Sequence, residues 1–219
     1  MAVAVDVSHA ECQIDRAIRP LCPPGQQPRL FGRAVTALCE PPDFGAVLYA
    51  LDKIKPGDVL VIAAGGHADT AMIGEILGGH LRRLGACGLV CDGAVRDVAE
   101  LAKWNDLPVF SRAITPRGPT SAERGRVNCS VVVGGRLISP GDLVIGDDDG
   151  LASLDPKSIV KFIAEAEGKL AKEVAEAQQK QEVDLTEAKA REAAAAEELQ
   201  NAERAQKEAE LAARQAQEA

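Results

Sequence analysis

From Ser158 to Ala219 the chain holds no proline and a single glycine, Gly168. Ala, Glu, Lys and Gln dominate the stretch, and all are strong helix formers. A segment of this kind has one regular option, a long helix. Asp155-Pro156 supplies its start, with proline in the first turn. Ile159, Ile163, Ala166, Leu170, Val174 and Ala177 recur in steps of three and four, which predicts a packed face over 158–177. Beyond Gln178 the stripe thins to Val183, Leu185, Leu199 and Leu211 without sustained heptads, so the remainder is expected to be solvated or frayed. The chain thus divides into residues 1–155 and a helical extension, 156–219.

The first part reads differently. "RLFGRAVTALCE" (29–40) reads as a strand and "DFGAVLYALDKI" (43–54) as a helix. "GDVLVIAAGG" (57–66) is a strand ending in a glycine turn, and "ADTAMIGEILGGHLRRLG" (68–85) has helical spacing through Met72, Ile76, His80 and Leu84. "ACGLVCDG" (86–93) is an apolar strand, "VRDVAELAKWN" (95–105) a short helix and "LPVFSRAI" (107–114) another strand. From residue 126 to 154, β-branched segments are cut by Gly-Gly, Pro-Gly and Asp-Gly, the signature of antiparallel strands. Alternation followed by consecutive strands predicts a mixed, layered α/β domain, not a doubly wound one.

A formal net charge of -8 argues against holding nucleic-acid phosphates by bulk electrostatics. No apolar run approaches the roughly 18–20 residues of a membrane span, and "MAVAVDVSHAECQ" does not read as a signal peptide. The six cysteines are scattered, with no CxxC pair and no histidine at zinc spacing. They read as reduced, structural thiols, which favours a cytoplasmic location.

Three places invite chemistry. In "CDGAVRDVAE" (91–100) Arg96 and Asp97 fall where a strand hands over to a helix, the end of an α/β sheet at which ligands gather. Spacing alone leaves open a plain ion pair with Asp97 favouring the helix start. The turn "AAGGHADTAMIGEIL" (63–77) offers backbone N–H groups to an anion, but it is neither a Walker loop nor a dinucleotide fingerprint. His67 within it, a lone turn histidine, reads as polar surface. "GDDDGLASL" (146–154) lacks EF-hand spacing and reads as a capped turn.

Together, "GGHADTAMIGE", "GACGLVCDGAVRDVAEL" and the segment from "LPVFSRAITP" to "GDDDGLASL" resemble the RraA-like family. It holds regulators of ribonuclease activity and class II pyruvate aldolases that cleave 4-hydroxy-4-methyl-2-oxoglutarate and 4-carboxy-4-hydroxy-2-oxoadipate. The resemblance spans roughly residues 18–175 and implies a layered β/α domain of the swivelling type. The aldolase pattern is an acid, twenty intervening positions, Arg-Asp, two positions and a further acid. Glu75, Arg96, Asp97 and Glu100 meet it, with Glu75 standing where the family has Asp. Glu100 tilts the choice toward the enzymes. The resemblance implies that Asp97 ligates Mg²⁺ or Mn²⁺, that Arg96 holds substrate, and that the backbone N–H groups of Gly74, Glu75, Ile76 and Leu77 bind its carboxylate. It further implies a homotrimer or a homohexamer of two stacked trimers, with an acid from a neighbouring subunit, assigned to Glu173, completing the site.

The residue types suit that chemistry. Cleaving C3–C4 of a 4-hydroxy-2-oxo acid leaves a pyruvate enolate, which a divalent cation stabilises as a Lewis acid. Arg96 offers a planar, permanently charged fork. Glu75 and Glu100 can orient metal-bound waters, one of which relays the C4 hydroxyl proton. No lysine is required for a Schiff base, and none is expected near the motif. Oxaloacetate decarboxylation needs the same enolate and is an expected side activity. The alternative is a non-catalytic regulator that binds a ribonuclease or another protein, with the C-terminal tail as the contact. A methyltransferase name also attached to the family finds no glycine-rich S-adenosylmethionine loop here.

Overall fold

Val59, Leu60, Val61 and Ile62 are wholly buried, as is the Leu89–Cys91 run beside them. Runs apolar on both faces belong to interior parallel strands. In the computed structural model, which describes residues 2–8 and 11–217, these runs are the centre of strands β3 (Asp58–Ile73) and β4 (Gly88–Val95). Around them stand β1 (Arg19–Pro20), β2 (Leu30–Leu38), β5 (Val109–Ile114), β6 (Arg126–Val127), β9 (Leu143–Asp147) and β10 (Gly150–Leu154). The large sheet runs β1-β5-β4-β3-β2-β9-β10, with β6 also on β2. β2, β3, β4 and β5 are parallel to one another, whereas β1, β6, β9 and β10 join antiparallel. The expected mixed sheet is therefore present. β7 (Val131–Val133) and β8 (Arg136–Ile138) form a separate hairpin.

Two apolar layers cover the sheet. One gathers Leu60, Ile62, Leu89 and Cys91 with residues of α2 (Gly45–Leu51), α3 (Glu75–Arg83) and α4 (Val98–Leu101). The other sets Val59, Val61, Val90 and Phe110 against Ile14, Ile18 and the β7–β8 hairpin. The helices thus cover one face and the hairpin the other. A short helix, α1 (Ala2–Val7), precedes this domain.

The stretch from 68 to 85 departs from its sequence reading. The helix expected over 68–85 is confined to Glu75–Arg83, because β3 continues to Ile73. Beyond Ala63–Asp92 the β3–β4 pairing resumes at His67–Gly93, Ala71–Ala94 and Ile73–Val95, so β3 bulges past the glycine turn and rejoins the sheet. Met72 is buried in that strand while Ile76 is exposed; their helical spacing was coincidental.

The chain falls into two units, 1–167 and 168–219. Pro156–Ser158 form a 3-10 turn, capped by Asp155 accepting the Lys157 N–H, and α5 (Ile159–Gln217) follows. In the second unit α5 is continuous helix, with ion pairs one turn apart at Lys169–Glu173 and Glu187–Arg191. Of the face expected to pack over 158–177, Ile163, Leu170 and Val174 are exposed, and Leu185 beyond it is exposed too. The side chains of Val183, Leu199 and Leu211, part of the thinning stripe, lie outside the described ones. No helix among the described residues is long and apolar enough to cross a membrane.

Candidate active site

β3 and β4 end side by side, and each delivers its chain to a helix. At the end of β3, Gly74 caps α3; at the end of β4, Arg96 and Asp97 precede α4. The Arg96 N–H donates to the Ile73 carbonyl at 3.1 Å, which fixes the two exits against each other. Asp97 takes a left-handed conformation, φ 57° and ψ 35°, which Asp tolerates better than most residues. That twist returns its carboxylate to α3, where Oδ2 accepts the backbone N–H of Glu75 at 3.0 Å. The same oxygen lies 3.5 Å from Arg96 Nε.

Gly74 and Gly118 give the arginine its slot. A Cβ on Gly74 would overlap Asp97 Oδ2 and stand 2.7 Å from Arg96 Cγ; one on Gly118 would stand 2.6 Å from Arg96 Nη1. A methyl group at either position would force the Arg96 side chain to move. The slot opens on a cavity of about 180 Å³ lined by Phe44, Leu48, Met72, Gly74, Ile76, Leu77, Pro119 and Arg96. Of the residues lining it, Arg96 alone is charged. The first-turn N–H groups of α3 have no partner within the helix, and they stand at this cavity's edge.

The sequence candidates therefore separate. Gly74, Ile76, Leu77 and Arg96 share the cavity, with Asp97 beside it. Glu75 and Glu100 line a neighbouring, wider hollow with Arg82, Arg83, Trp104 and Asp106; Ile76 borders both. The Glu75 N–H, expected to be available to a ligand, is taken by Asp97. Glu173 lies on α5, paired with Lys169 at 3.7 Å.

The expectation of no lysine near the motif is also corrected. Lys103 Nζ lies 2.8 Å from Glu100 Oε2, one helical turn away. Its hydrogen bond and charge pull the Glu100 carboxyl below its ordinary value, and Glu100 in turn pushes Lys103 up. A lysine held protonated is unsuited to Schiff-base chemistry.

Other candidates resolve as structure. His67 Nε2 meets Thr70 Oγ1 at 2.7 Å. In the 146–150 turn, Asp147 accepts the Asp149 N–H and Asp148 accepts the Gly25 N–H, as a capped turn requires. Sequence reasoning missed two buried acids. Asp92 accepts from Arg112 Nε at 2.5 Å and from the Gly134 N–H, and the same arginine reaches Asp15. Asp43 is wholly buried and joins α2 to the loop after β5. Apart from the Gly45 N–H on Asp43, their partners lie 20 or more residues away, so no local pattern marks the long-range pairings.

Among the described residues no three His, Cys, Asp or Glu side chains stand together as a metal group. The fit to a divalent ion rests on Asp97 alone. Its side chain is 42% exposed, and Gly74 preserves the space around Oδ2. One carboxylate supplemented by water suits Mg²⁺, which gives up its waters reluctantly.

Fold and site together define a layered α/β protein with a small pocket at a strand-to-helix handover. The chain belongs to the RraA-like family, whose Aldolase/RraA model matches residues 3–152. A Halalkalibacterium halodurans protein named "Putative 4-hydroxy-4-methyl-2-oxoglutarate aldolase" is 33% identical over 156 residues, covering 71% of this chain and 72% of that protein. RraAS2 of Streptomyces coelicolor, described as an unusual member of the RNase ES inhibitor RraA family, superposes with a TM-score of 0.69 at 27% identity, over 81% of this chain and 92% of that one. The RNA-processing inhibitor RraA from Thermus thermophilis gives 0.61 at 28% identity, over 69% and 91%.

Proposed function

We propose that this chain is a divalent-metal-dependent pyruvate aldolase cleaving 4-hydroxy-4-methyl-2-oxoglutarate or 4-carboxy-4-hydroxy-2-oxoadipate, with oxaloacetate decarboxylation as a side activity. The observation that carries the reading is the convergence of Arg96, Asp97 and the start of α3 on one small cavity. In this reading residues 1–155 perform the chemistry and residues 156–219 are an extension.

The carboxylate of a 2-oxo acid pairs with the Arg96 guanidinium and accepts from the N–H groups of Ile76 and Leu77 at the α3 N-terminus. Phe44, Leu48 and Pro119 keep water from the other side. Asp97 holds Mg²⁺ or Mn²⁺, which when bound supplies Lewis-acid stabilisation of negative charge on the 2-oxo group. A base removes the C4 hydroxyl proton, C4 becomes a carbonyl carbon, and the C3–C4 electron pair passes to the pyruvate enolate, which is protonated at C3. Arg96 lies beside the developing charge. Glu75 and Glu100, which line the neighbouring hollow, orient the water that relays the C4 hydroxyl proton. The active form is a homotrimer or a homohexamer, with Glu173 of the partner subunit closing the site.

The test is pyruvate release from both hydroxy-oxo acids and from oxaloacetate, with Mg²⁺ and with EDTA. Arg96→Lys keeps the charge but loses the fork, and is expected to raise KM. The names of the two inhibitor relatives support the second reading, a protein-binding regulator. Binding to a partner that depends on residues 178–219 and ignores Arg96, with no pyruvate released from any of these acids, would establish it.

A further inference from the structure

The cavity beside Arg96 is closed partly by two segments far apart in sequence: Phe44 and Leu48 at the start of α2, and Gly118-Pro119 in the loop between β5 and β6. One buried side chain fastens them. Asp43 Oδ2 accepts from Ser121 Oγ at 2.5 Å and from the Glu123 N–H at 3.0 Å; Oδ1 accepts from the Arg124 N–H at 3.0 Å and the Gly45 N–H at 2.8 Å. Two backbone bonds, Phe44 N–H to the Ser121 carbonyl and Thr120 N–H to the Pro42 carbonyl, and one from the Tyr49 hydroxyl on α2 to the Glu123 carbonyl add to the seam. The loop is tied at its other end where the Ala71 N–H donates to the Arg117 carbonyl at 2.8 Å.

We infer that Asp43 is a positioning residue of the active site: its carboxylate clamps the 117–124 loop onto α2 and so sets the wall that Phe44 and Pro119 present to a 2-oxo acid held by Arg96. The inference rests on the aldolase reading for the identity of that ligand, but the clamp itself does not. Four donors converge on a carboxylate with acceptor capacity for all of them. An asparagine of the same size offers one acceptor oxygen. Its amide group would face Ser121 and Glu123, and the partly buried Glu123 N–H would lose its acceptor. The loop side of the clamp then loosens while the Gly45 side holds. Ser121→Ala removes one of the same loop bonds without altering the acid.

The experiment uses the full chain as Asp43→Asn, Ser121→Ala, the double variant, and Val144→Ala as a core truncation on β9, which lies between β2 and β10 and does not line the cavity. Three quantities are read at a temperature where circular dichroism shows each variant folded. They are KM and kcat for pyruvate release from oxaloacetate with Mg²⁺, the Kd for pyruvate, and hydrogen exchange at the Ala71 amide. Asp43→Asn is expected to raise KM and Kd about tenfold with kcat within about threefold, and to speed Ala71 exchange about tenfold. Ser121→Ala follows in the same direction, and the double variant adds little to Asp43→Asn, because both act on one clamp. Val144→Ala lowers the melting temperature and leaves KM, Kd and the relative protection of Ala71 unchanged. Unchanged Ala71 exchange in folded Asp43→Asn overturns the clamp, as does an equal change in Val144→Ala. If Asp43→Asn does not fold, Ser121→Ala decides by the same readings. A wild-type protein that neither binds pyruvate nor releases it overturns the active-site role, while Ala71 exchange still reports on the fastening.

Discussion

Asp97 and Glu75, 22 residues apart in sequence, are joined by a hydrogen bond from the Glu75 backbone N–H to Asp97 Oδ2 at 3.0 Å. The bond lets the carboxylate of Asp97, which precedes α4 in sequence, cap the first turn of α3 through space. It also limits how that carboxylate can turn. Asp97→Asn separates the charge from the geometry, because asparagine accepts the left-handed backbone and keeps an acceptor oxygen. The melting temperature should stay within about 2–4 °C of wild type, a shift of about 1 kcal/mol or less for a chain of this size. Divalent-dependent pyruvate release should fall about 10²-fold. Turnover equal to wild type in a folded Asp97→Asn would remove this residue from the chemistry.

Gly74→Ala tests the arginine slot. The new methyl group would overlap Asp97 Oδ2 and press on Arg96 Cγ. Displacing reacting groups by about 1 Å costs about 10²-fold in rate, so kcat/KM should drop by that order. On the same helix, a Cβ at Gly79 would meet neighbours only at 3.9 Å. Gly79→Ala should therefore leave kinetics unchanged and raise stability by about 0.4–1 kcal/mol, measured by chemical denaturation.

The Asp43 clamp has a pH signature. Burial pushes this carboxyl upward, but bonds from Ser121, Glu123, Gly45 and Arg124 outweigh it and hold the group well below the carboxylate range. A depressed folded value means that the stabilisation is complete above the unfolded value, about 3.9 for Asp, and is lost as pH falls toward the folded one. The gap in melting temperature between wild type and Asp43→Asn should be widest near neutral pH and narrow steadily below about pH 4. A constant gap down to about pH 2 would contradict the assignment.

Thiol reactivity gives an independent check. Burial, with a contribution from Asp43, raises the Cys39 thiol to about 12, and burial pushes Cys91 higher still. A neutral buried thiol is a poor nucleophile. Brief alkylation of native protein at neutral pH, read by mass spectrometry, should leave Cys39 and Cys91 unmodified, and denaturant should expose both.

The sequence disclosed the parts of the fold that depend on neighbours in the chain. The β3 and β4 cores, the antiparallel run after 126 and the start of α5 all carry local patterns, and the structure has them. The length of β3 was hidden, because Met72, Ile76, His80 and Leu84 mimic a helix while the sheet, through Ala71 and Ile73, claims the first part of that stretch. The site was half legible. Arg96 and Asp97 could be found from their place after a strand, and Lys103 could have been paired with Glu100 three residues before it. Asp43 could not, since nothing near it in sequence foretells a loop returning 78 residues later.

The two glycines that flank Arg96 also decide where this pocket can be redesigned. One side of the guanidinium is backbone, so it cannot be enlarged by trimming a side chain, and adding one would force the arginine to move. Variation in what the cavity admits must come from the opposite side, where Phe44, Leu48 and Pro119 supply removable bulk. A library aimed at new ligands for this cavity would place its diversity there and leave positions 74 and 118 alone.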